Sequence, residues 1–244
     1  MHAVDSVGKG PMPVDTVSAV MFDMDGVLID THHAVAALWT EIARGHGKHL
    51  TEEDIRRYVL GRSPEHTVTA LFAELEGESR EHLLNQVRQA EPRLNFSGIA
   101  GTQALVERLA AAGVPLALVT SGSKTRVQRV LAALGLAPSF RVCVTWEDIQ
   151  NGKPAPDCYL LGAKRLGIPA DRCLVVEDAP SGIAAGNAAG AVCLGLTTGD
   201  GADLRERGAR YVVQDLADVE CRAKPGGLEL VFQGNVLITI GKED

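Results

Sequence analysis

The sequence has few aromatic residues, no excess of basic residues and no long hydrophobic run. Aromatic side chains make up 4% of the 244 residues, and the formal net charge is −7. A nucleic-acid-binding surface needs a basic stripe, which this sequence lacks. No apolar run is long enough to span a bilayer, and the N-terminus lacks the apolar stretch of a secretory signal. We therefore expect a cytoplasmic protein with no nucleic-acid or membrane partner, and a disordered leader at residues 1–15.

Cysteine is scarce and scattered. The five cysteines are Cys143, Cys158, Cys173, Cys193 and Cys221. They show no metal-type spacing, and three of them lie in apolar runs that resemble strands. This distribution favours reduced thiols in the core of a cytoplasmic protein.

Short apolar runs alternate along the chain with helical patterns. The runs, rich in β-branched residues, are Val17–Phe22, Leu116–Thr120, Arg141–Val144, Cys173–Glu177, Ala191–Leu196 and Tyr211–Val213. Segments such as Lys124–Leu134 and Pro156–Leu166 carry apolar residues at helical spacing, and Gly135 and Gly167 follow them as C-caps. The alternation predicts an α/β fold, with a parallel sheet covered by helices on both faces.

Residues 31–96 interrupt this alternation. They carry only helical patterns, at Ala34–Arg44, Glu52–Val59, Pro64–Leu75 and Arg80–Gln89. We therefore predict an all-helical cap at residues 31–96, inserted between the two parts of an α/β core at residues 16–30 and 97–220. The edges of the insert are polar or contain glycine, as hinges often do. In the remaining C-terminal extension, residues 221–244, LELVF and VLITI flank QGN and could form a β-hairpin.

Polar and charged residues follow the predicted strands. They are Asp23 and Asp25 after the first strand, Ser121, Gly122, Ser123 and Lys124 after the second, Lys153 in the next loop, and Glu177 and Asp178 at the end of the run from Cys173. In an open parallel sheet, ligands bind beyond the carboxyl ends of the strands. We therefore expect these side chains to meet at one edge of the sheet.

The carboxylates at this edge predict a metal site. Asp23 and Asp25 lie two residues apart in an extended segment, so both can address one pocket. Asp178, with Glu177, adds negative charge from another strand. Oxygen ligands without histidine or cysteine suit Mg²⁺, which proteins bind through one or two carboxylates and the phosphate of a substrate.

The hydroxyl groups and the lysine predict a phosphate site beside the metal. Ser121 and Ser123 precede a helix, where free N–H groups bind anions, and Lys153 adds a fixed positive charge. A carboxylate there can attack phosphorus, while a neighbouring carboxylate protonates the leaving oxygen and then activates water. Spacing alone does not decide whether Asp23 or Asp25 is the nucleophile.

Four motifs in this order resemble those of the haloacid dehalogenase superfamily, specifically its small sugar-phosphate and polyol-phosphate phosphatases. The motifs are FDMDGVLID, VTSGS, GKPAPD and VEDAPSGIAAGNAAGA, and the resemblance extends from Ser18 to about Val213. It implies a Rossmann-like core with a helical cap inserted after the first motif. HAVAALW, GRSPEHTV and VEDAPSGIAAG look most like the glycerol-phosphate and deoxyglucose-phosphate phosphatases.

The resemblance also implies a mechanism, a Mg²⁺-dependent hydrolysis through an aspartyl-phosphate. Asp23 would be the nucleophile. Asp25 would be the general acid/base and would offer its backbone carbonyl to the metal. Asp178 would hold the metal with help from Glu177, and Lys153 would neutralise the phosphoryl group.

Candidate substrate-binding residues come from both the core and the cap. Those in the core are Ser121, Gly122, Ser123, Lys124 and Lys153. In the cap, Arg62 follows a glycine and faces the expected mouth of the site. His32 and His33 are interpreted as solvated residues of a first helical turn.

The β-phosphoglucomutases are a close alternative. The cap of those enzymes usually carries an arginine and a histidine, at positions that align with Pro64 and Val35 of this sequence. Arg62 and the histidines at positions 32 and 33 lie nearby but are out of register. One alternative function is thus an isomerase that moves phosphate within a hexose phosphate. A second alternative is a non-catalytic sugar-phosphate sensor. In each case the partner is a small phosphorylated metabolite, and we expect a monomer or a weak homodimer.

Overall fold

The computed structural model describes residues 14–241. The β-strands are Asp15–Val17 (β1), Ala19–Phe22 (β2), Ile29–Asp30 (β3), Ser97–Gly98 (β4), Leu116–Val119 (β5), Val142–Val144 (β6), Cys173–Glu177 (β7), Val192–Leu196 (β8), Tyr211–Val213 (β9), Val219–Lys224 (β10), Gly227–Phe232 (β11) and Asn235–Gly241 (β12). The α-helices are His32–Gly45 (α1), Glu52–Tyr58 (α2), Pro64–Leu71 (α3), Gly77–Ala90 (α4), Ala100–Ala111 (α5), Lys124–Leu134 (α6), Asp157–Leu166 (α7), Pro180–Ala188 (α8) and Ala202–Glu206 (α9).

A parallel sheet in the order β6-β5-β2-β7-β8-β9 forms the centre of the molecule. Every residue of β2, β5 and β7 is buried, as strands covered on both faces require. The predicted α/β fold is confirmed. The run Val17–Phe22, however, is not one strand, because Ser18 separates β1 from β2 and β1 belongs to a different sheet.

Helices cover both faces of this sheet. Successive side chains of a strand point to opposite faces. Val20 and Phe22 of β2 accordingly pack in one cluster with α5 and α6. Ala19 and Met21 pack in another cluster with α7 and α8. Because the strands are parallel, the loops that follow β2, β5 and β7 all leave from the same edge, which is where the site lies.

Helices α1 to α4 occupy the segment between β3 and β4. They share a hydrophobic cluster that includes Trp39, Ile42, Val68, Phe72 and Leu83. The side chains of the residues that precede α2 and α3 cap those helices. β3 and β4 pair antiparallel where the chain enters and leaves the segment. These helices agree with the predicted patterns, and the division into a separate cap and core at residues 31–96 stays a prediction.

The C-terminal strands add a second sheet, in the order β1-β12-β11-β10. In the segment where the sequence suggested a hairpin, β11 and β12 pair antiparallel. The parallel pairing of β12 with β1 was not predicted. It corrects two boundaries: Asp15, assigned to the leader, begins β1, and the predicted boundary at residues 220–221 falls inside β10. The rest of the predicted leader, residues 1–13, lies outside the described residues.

Among residues 14–241, no helix has both the length and the apolar character needed to cross a membrane.

Candidate active site

Asp23, Lys153 and Glu177 form a buried ion cluster at the carboxyl edge of the sheet. The Nζ atom of Lys153 lies 2.5 Å from Oδ1 of Asp23 and 2.6 Å from Oε1 of Glu177. The exposed fractions of Asp23, Lys153 and Glu177 are 6%, 5% and 1%. Charged groups are stable at such burial only when they are paired. One lysine therefore holds together carboxylates that come from two adjacent strands.

Both carboxylate oxygens of Glu177 are engaged by donors from the chain itself. Oε1 accepts the hydroxyl of Tyr159 at 2.7 Å in addition to Lys153. Oε2 accepts the backbone N–H groups of Asp178 and Ala179 at 3.2 and 3.3 Å. A Cβ atom on Gly182 would lie 1.8 Å from Oε1, so only glycine fits there. Glu177 is thus fixed in place and positions Lys153.

Asp178 completes an acidic cluster that could hold a metal ion. Asp23, Glu177 and Asp178 each offer one carboxylate oxygen, and these oxygens lie within 4.8 Å of one another. Gly26, at φ +79°, makes room for the cluster, because a Cβ atom there would lie 1.9 Å from Oδ2 of Asp178. A set of oxygen donors suits a hard divalent cation, so the residues present fit such an ion.

Burial raises the pKa values of the two aspartates of this cluster. The pKa of Asp23 lies well above its usual range because of burial and the negative charges of Glu177 and Asp178, although Lys153 acts to lower it. Burial also raises the pKa of Asp178, against the opposing effect of a hydrogen bond with His32. A second cation beside Lys153 would favour the ionised form of both aspartates.

Asp25 binds a different set of partners. Nη1 of Arg126 donates to Oδ2 of Asp25 at 2.9 Å, and Nη2 of Arg126 and the hydroxyl of Thr31 both donate to Oδ1. The same Nη1 lies 3.3 Å from Oε1 of Glu91. Arg126 is 4% exposed and Glu91 is 8% exposed. Asp25 is therefore held by a bidentate, largely buried ion pair and its carboxylate is not part of the acidic cluster.

The loop after β5 lies against the acidic edge. Ser121 and Gly122 line the same cavity as Asp23 and Asp25. The N–H group of Gly122 donates to Oγ1 of Thr120 at 2.9 Å, which stabilises the turn. The structure thus brings the predicted phosphate loop to the carboxylates that follow β2.

Ser123 directly precedes α6 and is its N-cap, since its Oγ accepts the N–H of Arg126 at 3.3 Å. Its own N–H donates to Oε1 of Glu91 at 3.3 Å, and the N–H of Lys124 donates to Glu147 at 3.0 Å. Protein carboxylates therefore already use two of the N–H groups at the start of this helix.

A cavity opens between the carboxyl edge of the sheet and helices α1 to α4. Its core side is formed by the aspartates and the β5 loop described above. On its other side lie mostly apolar residues, among them Val35, Leu38, Trp39, Val59 and Leu60. Arg62 also lines the cavity, and burial lowers the pKa of its guanidinium, as does the charge of Arg207.

Two residues lie elsewhere than the sequence indicated. Lys124 is not brought together with the other candidates: its Nζ lies 3.5 Å from Oδ1 of Asp148, on a part of the surface that includes Arg165. His32, interpreted from the sequence as a solvated residue, instead places Nε2 2.9 Å from Oδ2 of Asp178. This hydrogen bond raises the pKa of His32.

Sequence reasoning missed four residues of the site: Thr31, Glu91, Arg126 and Tyr159. Arg126 and Tyr159 belong to amphipathic helices, where a polar side chain is usually on the solvent face. Glu91 follows α4 in a polar stretch that carries no motif. The glycines of the segment Pro180–Ala188 were a signal of close packing near the site, since Gly182 packs on the Glu177 carboxylate.

A parallel sheet with buried carboxylates, one buried lysine and a cavity at its carboxyl edge defines the protein as an α/β enzyme. The family model for haloacid dehalogenase-like hydrolases matches residues 17–190. The chain belongs to this family of hydrolases, which confirms the resemblance seen in the motifs.

Individual relatives agree with this assignment. Hexitol phosphatase A of Escherichia coli is 35% identical over 216 residues, which cover 85% of this chain and 95% of that protein. The phosphorylated carbohydrates phosphatase of Thermotoga maritima is 32% identical over 206 residues, which cover 81% and 94% of the two chains. A hydrolase from Pseudomonas syringae of known crystal structure aligns with a TM-score of 0.75 at 31% identity, over 83% of this chain and 95% of that chain.

Proposed function

We propose that this chain is a Mg²⁺-dependent phosphatase that hydrolyses a small phosphorylated sugar or polyol. The position of Asp23 carries the proposal. Its carboxylate is buried, pairs with Lys153 at 2.5 Å, belongs to the acidic cluster with Asp178 and lines the same cavity as Ser121. A nucleophile, a cation and a phosphate loop therefore meet at one point. The phosphatase names of the curated relatives support the substrate class.

The first half-reaction transfers the phosphoryl group to Asp23. An oxygen of Asp23 forms a bond to phosphorus, the bond from phosphorus to the ester oxygen breaks, and Asp25 gives a proton to that leaving oxygen. The products are the free sugar or polyol and an aspartyl-phosphate. Lys153 and the loop that contains Ser121 bind the phosphoryl oxygens.

The second half-reaction releases phosphate. Asp25, now ionised, takes a proton from a water molecule whose oxygen forms a bond to phosphorus. The bond between phosphorus and Asp23 then breaks, which regenerates the carboxylate. Asp25 ends the cycle protonated and ready for the next leaving group.

Asp23, Asp178 and the backbone carbonyl of Asp25 would hold the Mg²⁺ ion. When bound, the ion supplies positive charge next to the phosphoryl oxygens. Glu177 suits a different role from the metal ligand expected from the sequence. Its two oxygens accept four hydrogen bonds from the chain, so it orients Lys153 and stabilises the turn after β7.

The helices of residues 31–96 would act as a cap over the substrate. Trp39, Val35 and neighbouring apolar side chains face the part of the substrate that carries no phosphate, and Arg62 is available to a polar group there. Movement of the cap about the short β3–β4 pair would admit substrate and exclude water during the transfer.

A screen over sugar, polyol and nucleotide monophosphates, with phosphate release as the readout, tests the proposal. Release should require Mg²⁺, stop with EDTA and be abolished in Asp23→Asn, with the thermal midpoint and far-ultraviolet circular dichroism retained. Asp171→Asn, on an exposed side chain that does not line the cavity, is the control and should keep its activity. Turnover in Asp23→Asn would refute the covalent route.

The same screen distinguishes the two alternatives. β-Glucose 1-phosphate should be included, because its conversion to another hexose phosphate without phosphate release would indicate an isomerase. Saturable binding of a sugar phosphate with no turnover of any substrate would indicate a sensor.

A further inference from the structure

Arg126 lies between two carboxylates from different parts of the chain. One is Asp25, in the loop after β2, and the other is Glu91, which directly follows α4. Nη1 of Arg126 contacts both, at 2.9 Å to Asp25 and 3.3 Å to Glu91. One buried guanidinium is therefore shared by two acidic partners.

The pairing of Arg126 with Asp25 is incompatible with acid/base catalysis by Asp25. An acid/base must carry a proton on an oxygen that reaches the leaving group. Here both oxygens of Asp25 accept hydrogen bonds, from Arg126 and Thr31, so neither oxygen is free to reach the leaving group. The hydrogen bonds between Asp25 and Arg126 must break before Asp25 can transfer a proton.

Departure of Asp25 would strand a buried cation unless Arg126 keeps another partner. An uncompensated buried charge is strongly destabilising. Glu91 is placed to prevent this, because its Oε1 already lies 3.3 Å from Nη1 of Arg126. Glu91 is itself buried, with 8% of its surface exposed. Glu91 can retain the guanidinium while Asp25 turns toward the substrate.

We propose that Arg126 is a positioning residue that exchanges between Asp25 and Glu91, and that Glu91 is the partner that releases Asp25 for proton transfer. The inference rests on the phosphatase function proposed above. In the structure, Asp25 is bound to Arg126, which is the state before its release.

Glu91 also connects this exchange to the helical segment. It lies at the end of α4, and its Oε1 accepts the N–H of Ser123 at 3.3 Å, in the loop that would bind phosphate. Movement of the chain after α4 would therefore shift the second partner of Arg126. The position of the helices and the availability of Asp25 are coupled through one carboxylate.

Steady-state kinetics on a substrate found in the screen test the exchange. Glu91→Gln keeps the shape of the side chain but removes the competing charge, so Arg126 should hold Asp25 more firmly. We expect kcat to fall by about tenfold or more with KM changed by less than about threefold, because the loss is in the acid/base step. Adding Arg126→Gln to Glu91→Gln should raise kcat again, by about threefold or more, since no cation then holds Asp25.

Arg129→Gln is the matched control. Arg129 is on the same helix and donates to the backbone carbonyls of Pro92 and Leu94 at 2.7 and 2.8 Å, so it ties α6 to the same segment without contacting Asp25. It should change kcat by less than about twofold. The exchange is overturned if Glu91→Gln keeps the kcat of the wild type, or if the double variant is no faster than Glu91→Gln.

A second measurement does not depend on turnover. The side-chain ¹⁵N–¹H signals of Arg126, assigned with Arg126→Gln, should move toward those of Asp25→Asn when Mg²⁺ and inorganic phosphate are added to the wild type. In Glu91→Gln they should stay in place. A wild-type spectrum that does not respond overturns the exchange, whereas a response in a chain that releases no phosphate supports the exchange and refutes the phosphatase proposal.

Discussion

Nζ of Lys153 lies 2.5 Å from Oδ1 of Asp23, and both side chains are buried. The same nitrogen lies 2.6 Å from Oε1 of Glu177. Burial acts to lower the pKa of Lys153, but Asp23 and Glu177 outweigh it and raise the pKa well above its usual value. One cation therefore compensates two buried anions, which makes it important for stability as well as for chemistry.

Lys153→Met should strongly destabilise the protein. It leaves two carboxylates buried without their cation, and removal of one partner of a buried pair typically costs about 3–5 kcal/mol. Urea denaturation gives the free energy of unfolding. Lys124→Met is the matched control, because its side chain is 59% exposed and its pair with Asp148 is 3.5 Å long. The control should cost about 1 kcal/mol or less. Equal effects of the two substitutions would contradict the buried cluster.

Gly182→Ala should disturb Glu177 and, through it, Lys153. The new Cβ atom would lie 1.8 Å from Oε1 of Glu177, where no side-chain adjustment of the alanine can relieve the overlap. We expect a loss of stability of about 2 kcal/mol or more, as for other overpacked sites, together with reduced phosphate release. Thermal unfolding and the substrate screen measure the two effects.

Gly45→Ala provides the comparison for this prediction. Gly45 is the last residue of α1, and a Cβ atom on it would have no neighbour within 4 Å. Alanine favours helix over glycine by up to about 1 kcal/mol, so this variant should be neutral or slightly stabilised. If Gly182→Ala behaved in the same way, Glu177 would not be as tightly packed as the structure indicates.

The central sheet and its acidic edge could be predicted from the sequence because their signals are local. Each apolar run contains a strand of the central sheet, and the polar groups that follow these strands lie at the same edge. Asp23 and Lys153 are 130 positions apart, yet their proximity could be predicted because the loops that follow parallel strands meet at one edge of the sheet.

The second set of contacts could not be predicted in this way. Arg126 lies 101 positions from Asp25 and has the appearance of a surface residue on an amphipathic helix. Its burial depends on how α6 packs on the sheet and on where the chain returns after α4. Lys124, two residues earlier, looks equivalent in the sequence but is exposed. Residues two positions apart on a helix point in different directions, so Lys124 faces solvent while Arg126 faces the interior.

Asp148 should make stability depend on pH in the acidic range. Burial acts to raise its pKa, but hydrogen bonds from Arg165 and Thr145 outweigh it and hold the pKa far below its usual value. A lowered pKa in the folded state means that the stabilisation is present above the unfolded pKa of about 3.9 and is lost as the pH falls below it.

Urea denaturation between pH 6 and about pH 3 tests this dependence. The wild type should lose more unfolding free energy over this range than Asp148→Asn, which has no carboxylate to protonate. Because Arg165 is 38% exposed, the difference should be modest, about 1 kcal/mol. Asp218→Asn, on an exposed side chain, should retain the slope of the wild type. A wild-type slope in Asp148→Asn would show that other carboxylates determine the acid transition.

Ile238→Ala should test whether the C-terminal sheet is part of the core. Ile238 of β12 is fully buried, faces Asp15 of β1 in the parallel pair and belongs to the same hydrophobic cluster as Phe22 of β2. Truncation of a buried isoleucine costs about 2–5 kcal/mol. We expect this loss in one cooperative transition, seen equally by tryptophan fluorescence and by circular dichroism, because β12 unfolds with the central sheet. Asn235→Ala, on an exposed residue of the same strand, should have little effect. An unchanged main transition in Ile238→Ala would mean that the hairpin is an independent appendage.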